Sequence, residues 1–236
     1  MDTEHRVVTI VVAGIKYDFK IPSTFAKAPN TAGVNNNTHE AKNIGHPMNF
    51  LLNTSLDANT GYLNLIYRLL KDMPHGLDVT DLMGGIGMYP RILWDRIQPR
   101  SWTCVELDPD CEQYFQEPRA KFVLGDAYAD RDYGDILILD VPTGTLRTMA
   151  ENMDGRRNIL ENVKRSKPKY MLFSDFGHYW VHLPNHHPWY IATFGEVPTK
   201  LNYMKMWDQW YRENTGYKLL DWGHHGGSAH YLMAPV

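Results

Sequence analysis

The chain has 236 residues, of which 43% are hydrophobic and 22% charged, an ordinary globular balance with enough length for a substantial core. Its net charge of −3, with a pI near 6.4, gives no whole-chain signature of nucleic-acid binding. Two cysteines, Cys104 and Cys111, make no disulfide framework and no C-x-x-C site, which points to a reducing, cytoplasmic compartment. The opening M-D-T-E-H-R does not read as a signal peptide, and no apolar run approaches the length that spans a membrane.

In chain order, residues 6–21 read as two strands around Ala13-Gly14, a hairpin. Residues 28–46, rich in Asn, Pro, Gly and Thr, read as a long loop, either a lid or a linker. Residues 62–70 carry Leu63, Ile66, Tyr67 and Leu70 at helical spacing, an apolar face that belongs in a core. The expected division is an N-terminal extension over 1–60 and a main domain over 61–236.

The stretch from Leu77 to Gly87, L-D-V-T-D-L-M-G-G-I-G, begins as a buried strand, passes Asp81 and turns on Gly84, Gly85 and Gly87. Residues 88–97 then read as a helix. A strand that ends in a glycine turn and feeds a helix offers free N–H groups and a positive helix terminus to a ligand. Three more strands each end in a carboxylate: residues 101–105 before Glu106, 121–124 before Asp126, and 135–139 before Asp140. Glu106 lies where an acidic side chain can accept from both hydroxyls of a ribose. A dinucleotide fingerprint wants a third glycine where this chain has Pro90, which counts against NAD.

The block D-L-M-G-G-I-G, with E-L-D-P after the second strand and G-D-A after the third, resembles the class I S-adenosylmethionine-dependent methyltransferases. Among these it is most similar to the D-L-F-A-G-x-G variant of several nucleic-acid methyltransferases. The resemblance implies a doubly wound α/β fold with a mostly parallel seven-stranded sheet and a C-terminal antiparallel hairpin, plus the small N-terminal hairpin. It also implies S-adenosylmethionine as cofactor, with Asp81, Gly84, Gly85 and Gly87 around its methionine part, Glu106 on the ribose and Asp126 on the adenine amine. Met83 stands where many members of the family have another glycine.

Past the fourth strand, Asp140-Val141-Pro142-Thr143 occupies the place of the D/N/S-P-P-Y/F/W string of amine-methylating enzymes. Asp140 is therefore the candidate catalytic residue and Pro142 a candidate substrate contact, although the second proline and the aromatic are missing. No Pro-Cys nucleophile is present, which excludes C5-cytosine chemistry by that route. Residues 145–166 read as a polar helix with Gly155 a possible break, and 169–173 as a fifth strand. After it comes Asp175-Phe176-Gly177-His178-Tyr179-Trp180, from which Asp175, His178, Tyr179 and Trp180 are candidate substrate contacts. His178, His182 and His186 repeat every four residues, but Pro184 and Pro188 argue against a long regular helix there, so no metal is assigned. An aromatic loop that stacks on a planar substrate is the simpler reading. Residues 200–213 form an aromatic-rich helix, and 217–222 and 229–233 the closing hairpin.

The expected activity is methyl transfer to nitrogen or oxygen of a planar acceptor, a nucleobase in RNA or DNA. Two alternatives stand beside it: a small-molecule methyltransferase, and a non-methylating cofactor-binding fold that serves as a partner subunit. No membrane partner is expected, and the oligomeric state is not readable.

Overall fold

The computed structural model describes residues 5–22, 60–139, 149–176, 181, 184, 187–225 and 228–236. The chain folds as two compact units, one from Met1–Gly76 with Gly84–Gly125 and one from Leu77–Met83 with Asp126–Val236. The main sheet has seven strands in the order β5 (Lys121–Leu124), β4 (Ser101–Glu106), β3 (Asp78–Leu82), β6 (Ile136–Leu139), β7 (Tyr170–Phe176), β9 (Ser228–Pro235) and β8 (Tyr217–His225), and a separate two-stranded sheet holds β1 (His5–Val12) and β2 (Ile15–Pro22).

In the first unit, β1 (His5–Val12) and β2 (Ile15–Pro22) pair antiparallel across Ala13-Gly14. Both turn residues have positive φ, 52° and 80°, as a two-residue hairpin turn requires. For Ala13 that conformation costs about 1 kcal/mol, and its N–H is held by Asn64 Oδ1 at 2.7 Å. Alternation puts Val8, Ile10, Val12 and Phe19 inside and leaves Val7 and Val11 exposed. Asn64 lies on α1 (Thr60–Leu70), whose Leu63, Ile66 and Leu70 are buried, as their spacing predicts, while Tyr67 is only half-buried and Leu69 is buried as well. The Tyr17 hydroxyl donates to Ile92 O (3.1 Å) in α2 (Met88–Ile97). The hairpin is thus packed into this unit. Here too, β4 (Ser101–Glu106) and β5 (Lys121–Leu124) pair parallel, joined through a short 3-10 helix over Pro109–Tyr114.

In the second unit, β3 (Asp78–Leu82), β6 (Ile136–Leu139) and β7 (Tyr170–Phe176) pair parallel. All of β6 is buried, the run of uninterrupted aliphatics that a central parallel strand needs. Asp135 fixes its start: the carboxylate accepts from Asp78 N–H (3.1 Å) and pairs with Lys169 (3.0 Å), while its backbone oxygen accepts from Tyr170 N–H (3.0 Å). The bond from Asp78 N–H, helped by Lys169, holds the Asp135 carboxyl below its usual range. Helix α3 (Met149–Ser166) runs unbroken through Gly155. The short α4 (His187–Phe194) carries Pro188 in its first turn, where a missing N–H costs nothing. After α5 (Tyr203–Thr215), β8 (Tyr217–His225) and β9 (Ser228–Pro235) close the chain; β9 runs antiparallel to both β7 and β8. Both strands are longer than their sequence pattern indicates.

The core of this unit is aromatic. Trp207 of α5 lies 4.7 Å from Phe194, 5.3 Å from Tyr211 and 6.0 Å from Tyr231, and Phe173 meets Tyr211 edge-on at 5.6 Å. Helix α5 therefore covers the sheet face that carries Phe173 and Tyr231. Tyr217 donates its hydroxyl to Pro168 O, and burial pushes that hydroxyl's pKa up to about 12.

Candidate functional site

In the first unit, the turn after β3 is built from backbone hydrogen bonds. Gly87 N–H donates to Gly84 O (3.0 Å), Gly84 N–H to Val105 O at the end of β4 (3.2 Å), and Gln116 N–H to Ile86 O (2.8 Å). Gly85 (φ 54°) and Gly87 (φ 74°) take conformations that side chains resist. At Gly87 a second reason applies: an added Cβ would sit 2.6 Å from Phe115 Cε2. Gly87 is also the N-cap of α2 and offers no side-chain cap, so the positive end of that helix is left to other acceptors.

Glu106 ties this region together. Its Oε2 accepts from Gly85 N–H (3.0 Å), and its Oε1 from the N–H groups of Leu107 (2.8 Å) and Asp108 (3.0 Å). Its backbone oxygen accepts from Gly125 N–H (2.8 Å) beyond β5. One residue thus fixes the glycine turn, its own strand end and the end of β5. A carboxylate offers about four lone-pair sites, so these donors orient the group and leave acceptor capacity on it. Next to it, Leu107 and Leu124 are apolar side chains left more than half exposed at the carboxyl ends of β4 and β5.

The segment behind the turn is clamped by charge. Arg119 holds Glu117 through two bonds (2.7 and 2.9 Å) and Asp95 of α2 through a third (2.6 Å), while its guanidinium lies 5.1 Å over Trp94. Burial alone would raise the Glu117 pKa, but the hydrogen bonds and charge of Arg119, with Arg91 nearby, hold it below its usual value. This clamp presents Phe115 to Gly87. Gln116 uses its side-chain amide on both backbone groups of Lys20 (3.0 and 2.8 Å) in β2. Leu107, Phe115 and Gln116 are not legible as site residues: Leu107 lies inside the E-L-D-P string with no role of its own, and Phe115 and Gln116 belong to no motif.

In the second unit, Asp81 is 1% exposed on β3, in register with Ile138. Asp126 caps its own turn, its Oδ1 accepting from Tyr128 N–H (2.9 Å). Asp140, Pro142, His178, Tyr179 and Trp180 lie outside the described residues, and of Asp175 only its pairing with Ala229 is described. His182 and His186 are outside as well; among the described residues no group of three or more His, Cys, Asp or Glu side chains converges. The basic stretch at the end of α3 is engaged internally: Lys164 pairs with Glu161 (2.8 Å), Arg165 with Asp130 (2.7 Å) and Asp132 (2.9 Å), and Lys169 with Asp135.

No family model matches this chain, and neither does any curated protein sequence. Solved structures do. A chain of the Haloferax volcanii complex that contains the Trm112 methyltransferase activator superposes with a TM-score of 0.51 at 14% identity, over 77% of this chain and 93% of that one. A methyltransferase of calicheamicin biosynthesis, in its S-adenosylhomocysteine-bound form, gives 0.50 at 17% identity, over 84% of this chain and 61% of that one. The fold is that of the class I methyltransferases, as the resemblance of the sequence implies. Among the described residues no helix is long and apolar enough to cross a membrane.

Proposed function

We propose that the chain is an S-adenosylmethionine-dependent methyltransferase acting on nitrogen or oxygen of a planar acceptor, a nucleobase in RNA or DNA. The observation that carries this reading is Glu106, held at the end of β4 by three backbone N–H groups and bonded to the glycine turn. With Oε1 accepting two N–H groups and Oε2 one, the acceptor site left on Oε2 suits a ribose hydroxyl. The exposed Leu107 and Leu124 suit the adenine ring, and Gly84, Gly85 and Gly87 let a ligand approach the backbone. The roles proposed for Asp81 and Asp126 rest on their motif positions.

When bound, the cofactor supplies an electrophilic methyl carbon on a sulfonium. Held at Glu106 and the glycine turn, it would supply that methyl group to an acceptor nitrogen or oxygen, whose proton would pass to a base of this chain. Positioning supplies much of the rate in such a displacement. Asp140 is the proposed proton acceptor or orienting group, and Pro142, Asp175, His178, Tyr179 and Trp180 the proposed acceptor contacts.

A small planar acceptor is the second reading. The net charge of −3 and the pairing of Lys164, Arg165 and Lys169 with neighbouring carboxylates favour it, because those carboxylates compete with phosphate for the cations. Transfer of labelled methyl groups to total RNA, to DNA and to a panel of phenols and purines separates the two. Labelled nucleic acid with binding that weakens steeply as salt rises supports the first; label on the small molecules alone supports the second. Transfer to none of them, with cofactor bound, favours a partner subunit.

A further inference from the structure

The face of the second unit's sheet turned away from α5 carries a buried polar pair that the motifs do not account for. Ser174 of β7 is paired in register with His230 of β9, and they are 2% and 0% exposed. Directly opposite residues of antiparallel strands have Cβ atoms about 5 Å apart on one face. The intervening Phe173 and Tyr231 pack against α5, so alternation turns Ser174 and His230 to the other face. One row toward the strand middle that face reads Asp81, Ile138, Leu172 and Leu232. On the far side, His230 is in register with Gly223 of β8, which has no side chain to fill the space beside the ring.

Ser174 is the informative member. Its Oγ is buried and has no hydrogen-bond partner among the described residues. An unsatisfied buried hydroxyl is unfavourable relative to alanine, and this one stands past the last paired residue of β6, at the carboxyl ends of the parallel strands. Ligands of open α/β sheets arrive at that end. A hydroxyl and an imidazole side by side, shielded from water, can between them donate to and accept from one N–H or O–H group, and shielding strengthens such bonds.

We propose that Ser174 and His230 form an acceptor-binding pair that hydrogen-bonds the nitrogen or oxygen due to receive the methyl group. This rests on the methyltransferase reading above. Because both side chains are buried, an acceptor that reaches them has to displace what covers them.

The test uses the full chain saturated with S-adenosylhomocysteine, with adenosine, cytidine, guanosine, uridine and phenol as separate probes. Histidine ring signals are followed by NMR, that of His230 being assigned by its loss in His230→Gln. At least one probe is expected to shift the His230 ring. Ser174→Ala is expected to weaken that probe roughly tenfold while leaving S-adenosylhomocysteine binding and melting temperature unchanged or the latter raised. No shift from any probe, or a Ser174→Ala variant that binds the probe like wild type, would overturn the pair while leaving the cofactor reading intact. If His230→Gln does not fold, Ser174→Ala and the wild-type titration still decide. Absence of S-adenosylhomocysteine binding would overturn the cofactor reading and the pair with it.

Discussion

The glycine turn of the first unit and the aromatic core of the second are stabilised in opposite ways. Around Gly84–Gly87 and Glu106 the contacts are hydrogen bonds of 2.8 to 3.2 Å, made by backbone groups and by one carboxylate. Around Trp207 they are ring contacts among large side chains, with Trp207, Tyr203, Tyr211 and Tyr231 each 1% exposed. The first arrangement leaves polar groups and φ > 0 backbone beside a ligand-accessible helix end; the second excludes water. Substitutions in the core should therefore cost stability without touching ligand affinity, and substitutions in the turn should cost both.

Trp207→Ala is the largest expected effect. Removing that ring from its aromatic neighbours should cost about 3–5 kcal/mol in urea unfolding, with S-adenosylmethionine affinity unchanged at temperatures where the variant is folded. A comparable loss of affinity would mean the core and the turn are not separable. Gly87→Ala comes next. It adds a Cβ 2.6 Å from Phe115 at φ 74°, and overpacking plus backbone strain should cost about 2–4 kcal/mol and weaken cofactor binding at least tenfold. Gly195→Ala is its control, with a similar φ of 81° and open space around the added atom. That variant should lose only about 1 kcal/mol and keep full affinity.

Asp135→Asn sharpens the contrast at lower amplitude. It removes the charge that holds Asp78 N–H and Lys169, for about 1 kcal/mol at neutral pH. Because the folded carboxyl has the lower pKa, its contribution is present above the unfolded value near 4 and is lost as pH falls below about 4 toward the folded value. The wild type should accordingly lose its advantage over the variant as pH falls below about 4 in acid unfolding, with the two curves converging. A gap that stays constant with pH would mean the Asp135 charge plays no part.

The same contrast explains what the sequence made legible. The turn is written in residue types, since glycine takes the φ of 54° and 74° at positions 85 and 87 without the strain a side chain adds, and a strand-end carboxylate such as Glu106 stands at a readable spacing. The aliphatic run of β6 and the spacing of Leu63, Ile66 and Leu70 gave the elements for similar reasons. What Phe115 does was hidden, because it depends on a contact with a residue 28 positions earlier in the chain. The Ser174–His230 pairing was hidden too: it follows from the register of β7 on β9, which no local pattern encodes. For Asp126 the structure adds a turn-capping bond to Tyr128 N–H, a contact that would exist with or without an adenine beside it.

Calorimetric titration of S-adenosylmethionine into the wild type and Glu106→Ala, with NAD as the control ligand, tests the central claim most directly. The geometry at Glu106 calls for wild-type binding of S-adenosylmethionine and not of NAD, and for a loss of at least tenfold in the variant, which forfeits both its own acceptor oxygens and the brace on Gly85. Equal affinity in the two proteins, or no S-adenosylmethionine binding by the wild type, would contradict it and leave the glycine turn a purely structural feature of the fold.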